Sequence, residues 1–226
     1  MNSVGDLIND LSNRNHPMLT WYGPDHERVD LTGKTVANWI IKAANLLMMD
    51  LDCPPKTTVW LDLPTHWRTI VWAHALWCAG ATWGEESNAE IAITASPSSA
   101  HQEHELIVIA LPALARSVDN LPPGAIDGAG DLMNQPDSFV FPPPADPTHP
   151  TGLGVTQEEL LLRLPAVETV AGSVDEAGPH RVLIPSGQPQ QVAGWTCSLW
   201  AHGHSVVISK DTSVAETESI THITAT

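Results

Sequence analysis

The side chains with the most chemical potential in this 226-residue chain are its eleven histidines, and their densest spacing is His101-Gln102-Glu103-His104-Glu105. Imidazoles and carboxylates in such a pattern could hold a divalent metal. A His-x-x-Glu-His motif needs its first histidine where Ala100 stands, and the His-x-Glu of a zinc deaminase needs a Pro-Cys-x-x-Cys that the chain lacks. A solvated loop or helix start is the reading, and no metal site is expected. His202 and His204 flank Gly203 without further ligands nearby and read as surface residues. His66 and His74 bracket a Trp-rich segment; with no serine or cysteine nucleophile in context, His74 reads as a hydrogen-bonded core residue, and Cys78 likewise as core. Asp127-Gly128-Ala129-Gly130-Asp131 begins like a dinucleotide fingerprint, but Met133 stands where the third glycine belongs, so turn chemistry is expected. Ser186 lies in Pro185-Ser186-Gly187, which is not a nucleophile elbow. No catalytic residue is assigned.

The elements that would position these groups follow from periodicity. Val4, Leu7, Ile8 and Leu11 recur at helical spacing ahead of Pro17, and Met18 to Tyr22 is compatible with a strand. Thr35 is the expected N-cap of a helix whose face carries Val36, Trp39, Ile40, Ala43 and Leu47. Val59 to Leu63 alternates as a strand does. Trp67 to Ala79 is apolar nearly all round, hence a buried helix, with Gly80 where a left-handed cap belongs. Ile91 to Thr94 and Leu106 to Leu111 read as buried strands. Residues 121 to 154 are Pro/Gly-rich and are expected to form a surface excursion rather than sheet or helix. A Thr156-capped helix to Leu164, a strand from Arg181 to Pro185, a helix from Gln188 to His202 and a strand from Ser205 to Ser209 follow, and Ile220 to Thr226 could add another. Alternating strands and helices predict one α/β domain over residues 1–226, a doubly wound, mostly parallel sheet with helices on both faces.

Composition narrows the function. Ten basic residues against twenty-six acidic give a formal charge of −16, which argues against nucleic acid as a partner. The acidity is uneven: up to Gly84 there are six basic and eight acidic residues, and from Glu85 onward only Arg116, Arg163, Arg181 and Lys210 face eighteen acids. Three cysteines, Cys53, Cys78 and Cys197, have no metal spacing and suit a reducing setting. Met1 to Asn15 lacks a signal-peptide apolar stretch, and Ile70 to Trp83, interrupted by His74, is too short to cross a bilayer. A cytoplasmic protein with no membrane association is expected.

The order of motifs resembles the early part of the AMP-binding, or adenylate-forming, superfamily of acyl-CoA synthetases, adenylation domains and luciferases. Thr35-Val36-Ala37-Asn38-Trp39, Val59-Trp60-Leu61-Asp62-Leu63-Pro64 and Cys78-Ala79-Gly80-Ala81-Thr82-Trp83 stand in the family's order and spacing, and Pro185, Gly194, Gly203, Val206 and Val207 carry a fainter second match. The resemblance implies the fold of the N-terminal subdomain of those enzymes. It also implies a phosphate loop, and Thr148-His149-Pro150-Thr151-Gly152-Leu153-Gly154-Val155-Thr156 stands there without the Pro-Lys pair. Thr148, Thr151, Gly152, Gly154 and Thr156 are thus a degenerate loop. A triphosphate needs a cation to be desolvated, and no basic residue lies between Arg116 and Arg163. The sequence ends after the Val206 strand, before the family's adenine segment, ribose-binding acid and catalytic lysine, like short, truncated actinobacterial-type members.

The resemblance therefore implies a non-catalytic scaffold without cofactor that associates with itself, as a homodimer, or with a partner protein. An acyl, aromatic carboxylate or acyl-adenylate ligand beside the Pro185 turn is the alternative, with Pro185, Ser186, Gln188 and Trp195 as candidate pocket residues. A subunit of an adenylating ligase completed in trans is the third reading.

Overall fold

The structure, a computed structural model, describes residues 1–102, 104–112, 115–170 and 178–225. Ser3 caps helix α1 (Val4–Leu11) through a reciprocal capping box with Asp6, and the α1 apolar stripe is buried. Strand β1 (Pro17–Tyr22) pairs antiparallel with β2 (Arg28–Thr32), which the sequence reading missed. Helix α2 (Gly33–Met49) starts earlier than expected: its N-cap is Thr32, whose hydroxyl accepts from the Thr35 N–H at 3.2 Å, so Thr35 is the bonded residue and not the cap. After β3 (Thr58–Asp62) comes α3 (Trp67–Cys78), buried along its whole length and closed by Gly80 at φ +75°. Strands β4 (Thr82–Trp83), β5 (Ile91–Thr94) and β6 (Glu105–Val108) follow, the last shorter than the expected 106–111 run.

The Pro/Gly-rich stretch is not free of regular structure. It contributes strand β7 (Ile126–Asp127), parallel to β6, and helix α4 (Gly130–Asn134), which packs on α2. A capped helix α5 (Gln157–Leu162), strand β8 (Val167–Thr169), β9 (Arg181–Pro185), α6 (Pro189–Ala201), β10 (Ser205–Ser209), α7 (Val214–Thr217) and β11 (His222–Thr224) complete the order.

The predicted α/β class with mostly parallel pairing is found, and the strands divide between two sheets. One has the order β2-β1-β10-β9-β11-β8, parallel in the middle and antiparallel at both ends; the other, β4-β3-β5-β6-β7, is parallel throughout. Helices α1, α2, α3 and α6 form the layer between them: α3 touches β3 and β4 of the parallel sheet and β1 of the mixed one, and α6 touches β10. Burial from both sides is the reason α3 is apolar all round. On the far face of the mixed sheet, Leu183, Val207 and Ile220 make a small second core with Val214 of α7. No helix among the described residues is long and apolar enough to cross a membrane.

Candidate functional site

The segment Thr148–Thr156 folds as a loop closed by a bridge between Pro150 and Thr156. Its polar groups are largely spent on the protein itself. Thr151 donates its N–H and its hydroxyl to the Val155 carbonyl at 3.1 and 2.7 Å, and the Leu153 N–H returns to the Thr151 hydroxyl at 3.2 Å. The Thr151 carbonyl accepts the Trp77 indole N–H at 2.9 Å and the Trp83 backbone N–H at 3.1 Å, which fastens the loop to the end of α3 and to β4. At the start of α5, the Glu159 carboxylate accepts the Thr156 N–H at 2.8 Å and its hydroxyl at 3.2 Å. A carboxylate of the chain thus occupies the place where a loop-to-helix junction would otherwise receive an anion.

Gly152 makes the close approach to β4 possible. Its φ is +85°, and a Cβ there would lie 1.9 Å from the Trp83 carbonyl oxygen. Gly152→Ala therefore combines a left-handed alanine with a backbone clash, and a loss of at least about 2 kcal/mol is expected in urea unfolding. A stability within 0.5 kcal/mol of wild type, by that measurement, would contradict this loop geometry.

Beside the loop lies an open groove of about 600 Å³. One wall is the loop itself, with Gly152, Leu153 and Val155; the second is the end of α5 and the link to β8, with Leu160, Arg163 and Leu164; the third is α6, with Gln191, Gly194 and Trp195. Gly194 lets α6 come close to the loop, since a Cβ there would meet Leu153 Cδ1 at 3.0 Å. Arg163 is exposed and makes no ion pair among the described residues.

Of the candidate loop and pocket residues, the groove brings together Gly152 and Trp195. Pro185, Ser186 and Gln188 do not line it: Pro185 ends β9, the Ser186 N–H bonds the Ser209 carbonyl at 3.1 Å, and Gln188 stands at the N-cap of α6. Their turn is instead tied to the connector before α3, where the Thr65 hydroxyl donates to the Gly187 carbonyl at 2.5 Å. Arg163 and Gly194 were overlooked as groove residues, although the scarcity of cations after Glu85 is a signal that points to Arg163.

The other motifs take structural roles. His101 is buried; its Nδ1 accepts the Ser98 N–H at 3.0 Å, so Nε2 carries the proton toward Asp62 at 3.2 Å, and its ring stacks on Trp60 at 4.7 Å. Glu103 lies outside the described residues. No group of three or more metal-ligating side chains is assembled among the described residues. His74 donates from Nδ1 to the Ile70 carbonyl at 2.7 Å and lies against Trp77 and Trp200. His202 Nδ1 bonds the Ser198 carbonyl at 2.9 Å. His204, half-buried beside His180 and His222, has its pKa lowered to about 4 by burial and by those neighbouring imidazoles. The Asp127 carboxylate receives the N–H groups of Val118, Ala129 and Gly130, each at 2.9 Å, which is the turn chemistry expected there. Cys53, Cys78 and Cys197 are free and buried, and burial raises all three thiol pKa values.

Comparison with known structures agrees with this architecture. An acyl-CoA synthetase of Brucella canis superposes with a TM-score of 0.68 over 98% of this chain and 46% of its own, at 12% identity. The Klebsiella oxytoca NpsA N-terminal subdomain, in complex with 3-hydroxybenzoyl-AMSN, superposes at 0.61 over 92% of this chain and 54% of its own, also at 12% identity. The fold is that of the N-terminal part of adenylate-forming enzymes. The chain spans about half the length of these solved structures. No protein-family model matches it. A protein of Mycobacterium tuberculosis H37Rv, whose name gives a family number and no activity, is 28% identical over 187 residues, covering 74% of this chain and 76% of that protein.

Proposed function

We propose that this chain is an adenylate-forming scaffold without acyl-activating chemistry of its own, and that it binds a small carboxylate with an apolar or aromatic body. The observation that carries the reading is the groove, in which a guanidinium without an ion pair among the described residues, Arg163, stands beside the apolar surface of Leu153, Leu160, Leu164 and Trp195. A carboxylate would take its place at Arg163, and the acyl or aryl body would lie against Trp195. The NpsA subdomain, in complex with an aryl-acyl compound, supports this class of ligand. The loop argues against a bound triphosphate: it has no lysine, and the Glu159 carboxylate caps the helix behind it.

Thermal shift tests both halves. Benzoates and short acyl carboxylates are expected to raise the midpoint, with about 2.7 kcal/mol of stabilisation at a hundred times the dissociation constant. Trp195→Ala and Arg163→Ala should each weaken that response, and MgATP should produce none. A panel of carboxylates without effect would sink the ligand, and stabilisation by MgATP would sink the claim about chemistry.

A second reading has its own observation. Strand β8 ends the mixed sheet with no further strand paired to it among the described residues, and Leu162, Leu164 and Val167 are exposed there. An open edge flanked by apolar side chains favours self-association, so a homodimer is proposed. Light scattering at micromolar concentration should give twice the chain mass and, for Val167→Lys, the monomer mass; a monomeric wild type refutes it.

A further inference from the structure

We propose that the first turn of α3 holds a small anion, received by the side chains of His66, Trp67 and Arg68. These are the N-cap and the first two residues of a twelve-residue helix, and each is 3% exposed. Three of their side-chain nitrogens, His66 Nε2, Trp67 Nε1 and Arg68 Nε, are buried without a full hydrogen bond to any described residue. All three are donors. Trp and Arg nitrogens have no other role, and His66 Nδ1 already accepts the Arg68 backbone N–H at 3.1 Å, which leaves the proton on Nε2.

The groups lie close together. The Arg68 guanidinium carbon sits 4.5 Å from the Trp67 ring centre, and the His66 and Trp67 rings are 5.8 Å apart. The Leu111 backbone approaches the His66 ring without satisfying Nε2. Arg68 gives one Nη hydrogen to the Ala115 carbonyl at 3.1 Å, and no carboxylate pairs with it among the described residues.

A buried guanidinium without a counter-charge is costly, and burial pushes the Arg68 pKa down to about 10. Stacking on Trp67 and Trp39 offsets part of that cost but satisfies no N–H. A water molecule could accept two of the donors and would leave the charge where it is. An anion answers both deficits, and the amide N–H groups of the helix start add to its attraction. The site is distinct from the groove, which shares none of its residues.

The test is a titration of the full chain with sodium formate, as the carboxylate arm, and sodium phosphate, as the phosphoryl arm, ionic strength being held with bulky gluconate. A saturable rise of the unfolding midpoint with either salt is expected, and the salt that produces it assigns the chemistry. Arg68→Met should abolish the rise. Trp67→Phe keeps the ring stacking, removes one donor and should weaken the anion about tenfold; it decides the matter if Arg68→Met does not fold. No saturable rise with either salt, or an equal rise in wild type and both variants, overturns the proposal.

Discussion

Lowering the pH from 6.5 toward 4 is expected to remove about 3 kcal/mol of folding stability through His74 alone, with a further loss through His66. Both imidazoles are held neutral by burial. The fully buried His74 has its pKa lowered to about 4, and His66, enclosed by Trp21 and Trp67, to about 3 through burial and the nearby Arg68 charge. Well above pH 6.5 neither ring is protonated in the folded or unfolded chain, so neither makes stability depend on pH. Below it the unfolded chain takes up protons that the folded chain refuses, and stability falls until pH reaches the folded pKa, about 4 for His74 and about 3 for His66. His204, lowered to about 4 but only half-buried, adds a smaller, solvent-screened part in the same direction. Urea midpoints measured at pH 7, 6, 5 and 4 test this. In His74→Gln, a side chain that can still donate to the Ile70 carbonyl, the decline should be shallower by about 3 kcal/mol, and an unchanged slope would show that His74 does not govern it.

Glu218→Ala is expected to cost about 3 kcal/mol or more at neutral pH. This carboxylate, 7% exposed, accepts from the Tyr22 hydroxyl of β1, from Arg28 Nε of β2 at 2.9 Å and from an Arg181 Nη of β9, and so ties the segment after α7 to three strands of the mixed sheet. Arg28 is partly exposed, so water can take over its charge, whereas Arg181 is mostly buried and would be left without a counter-charge. Burial would raise the Glu218 pKa; the bonds from Arg28, Tyr22 and Arg181 more than reverse that and lower it to about 2. Its contribution is therefore present above pH 4.5 and fades as pH falls from there toward 2, a second acid stage below that of the histidines. The double variant Glu218→Leu/Arg181→Met removes both charges and should recover most of the loss. A loss under 1 kcal/mol for Glu218→Ala, with the denaturant slope unchanged, would mean that the network does not hold the sheet together.

Elements buried on two sides were the most legible. The apolar runs of α3, β5, β9 and β10 have few polar residues to confuse the pattern, and Gly80 and Gly203 close their helices at φ +75° and +88° as expected. The edge strands were not legible. β2 carries Arg28 and Asp30, charges that protect a sheet edge and erase its alternation, and β8 is three exposed residues, Val167 to Thr169, too few to show any. Strand β7, two residues long, exists only because β6 offers it a partner. The start of α2 shifted because Thr32 and Thr35 can each cap a helix, and the choice of Thr32 rests on Gly33 and Lys34 adopting helical backbone.

Charge sign, the absence of lysine between Thr148 and Thr156 and the order of the elements buried on two sides are local properties, set by neighbours in the chain, and the sequence by itself determined them. The division of the strands between two sheets, the groove at Trp195 and the buried donors at His66, Trp67 and Arg68 were decided only in the tertiary structure. Each depends on which distant surfaces meet. Leu153 reaches Gly194 because the loop is fastened to the end of α3, against which α6 packs, and Arg68 reaches the Ala115 carbonyl from a segment 47 residues on, after β6. Periodicity marks a face as apolar; packing selects the face it meets and the polar groups that close contact leaves without partners.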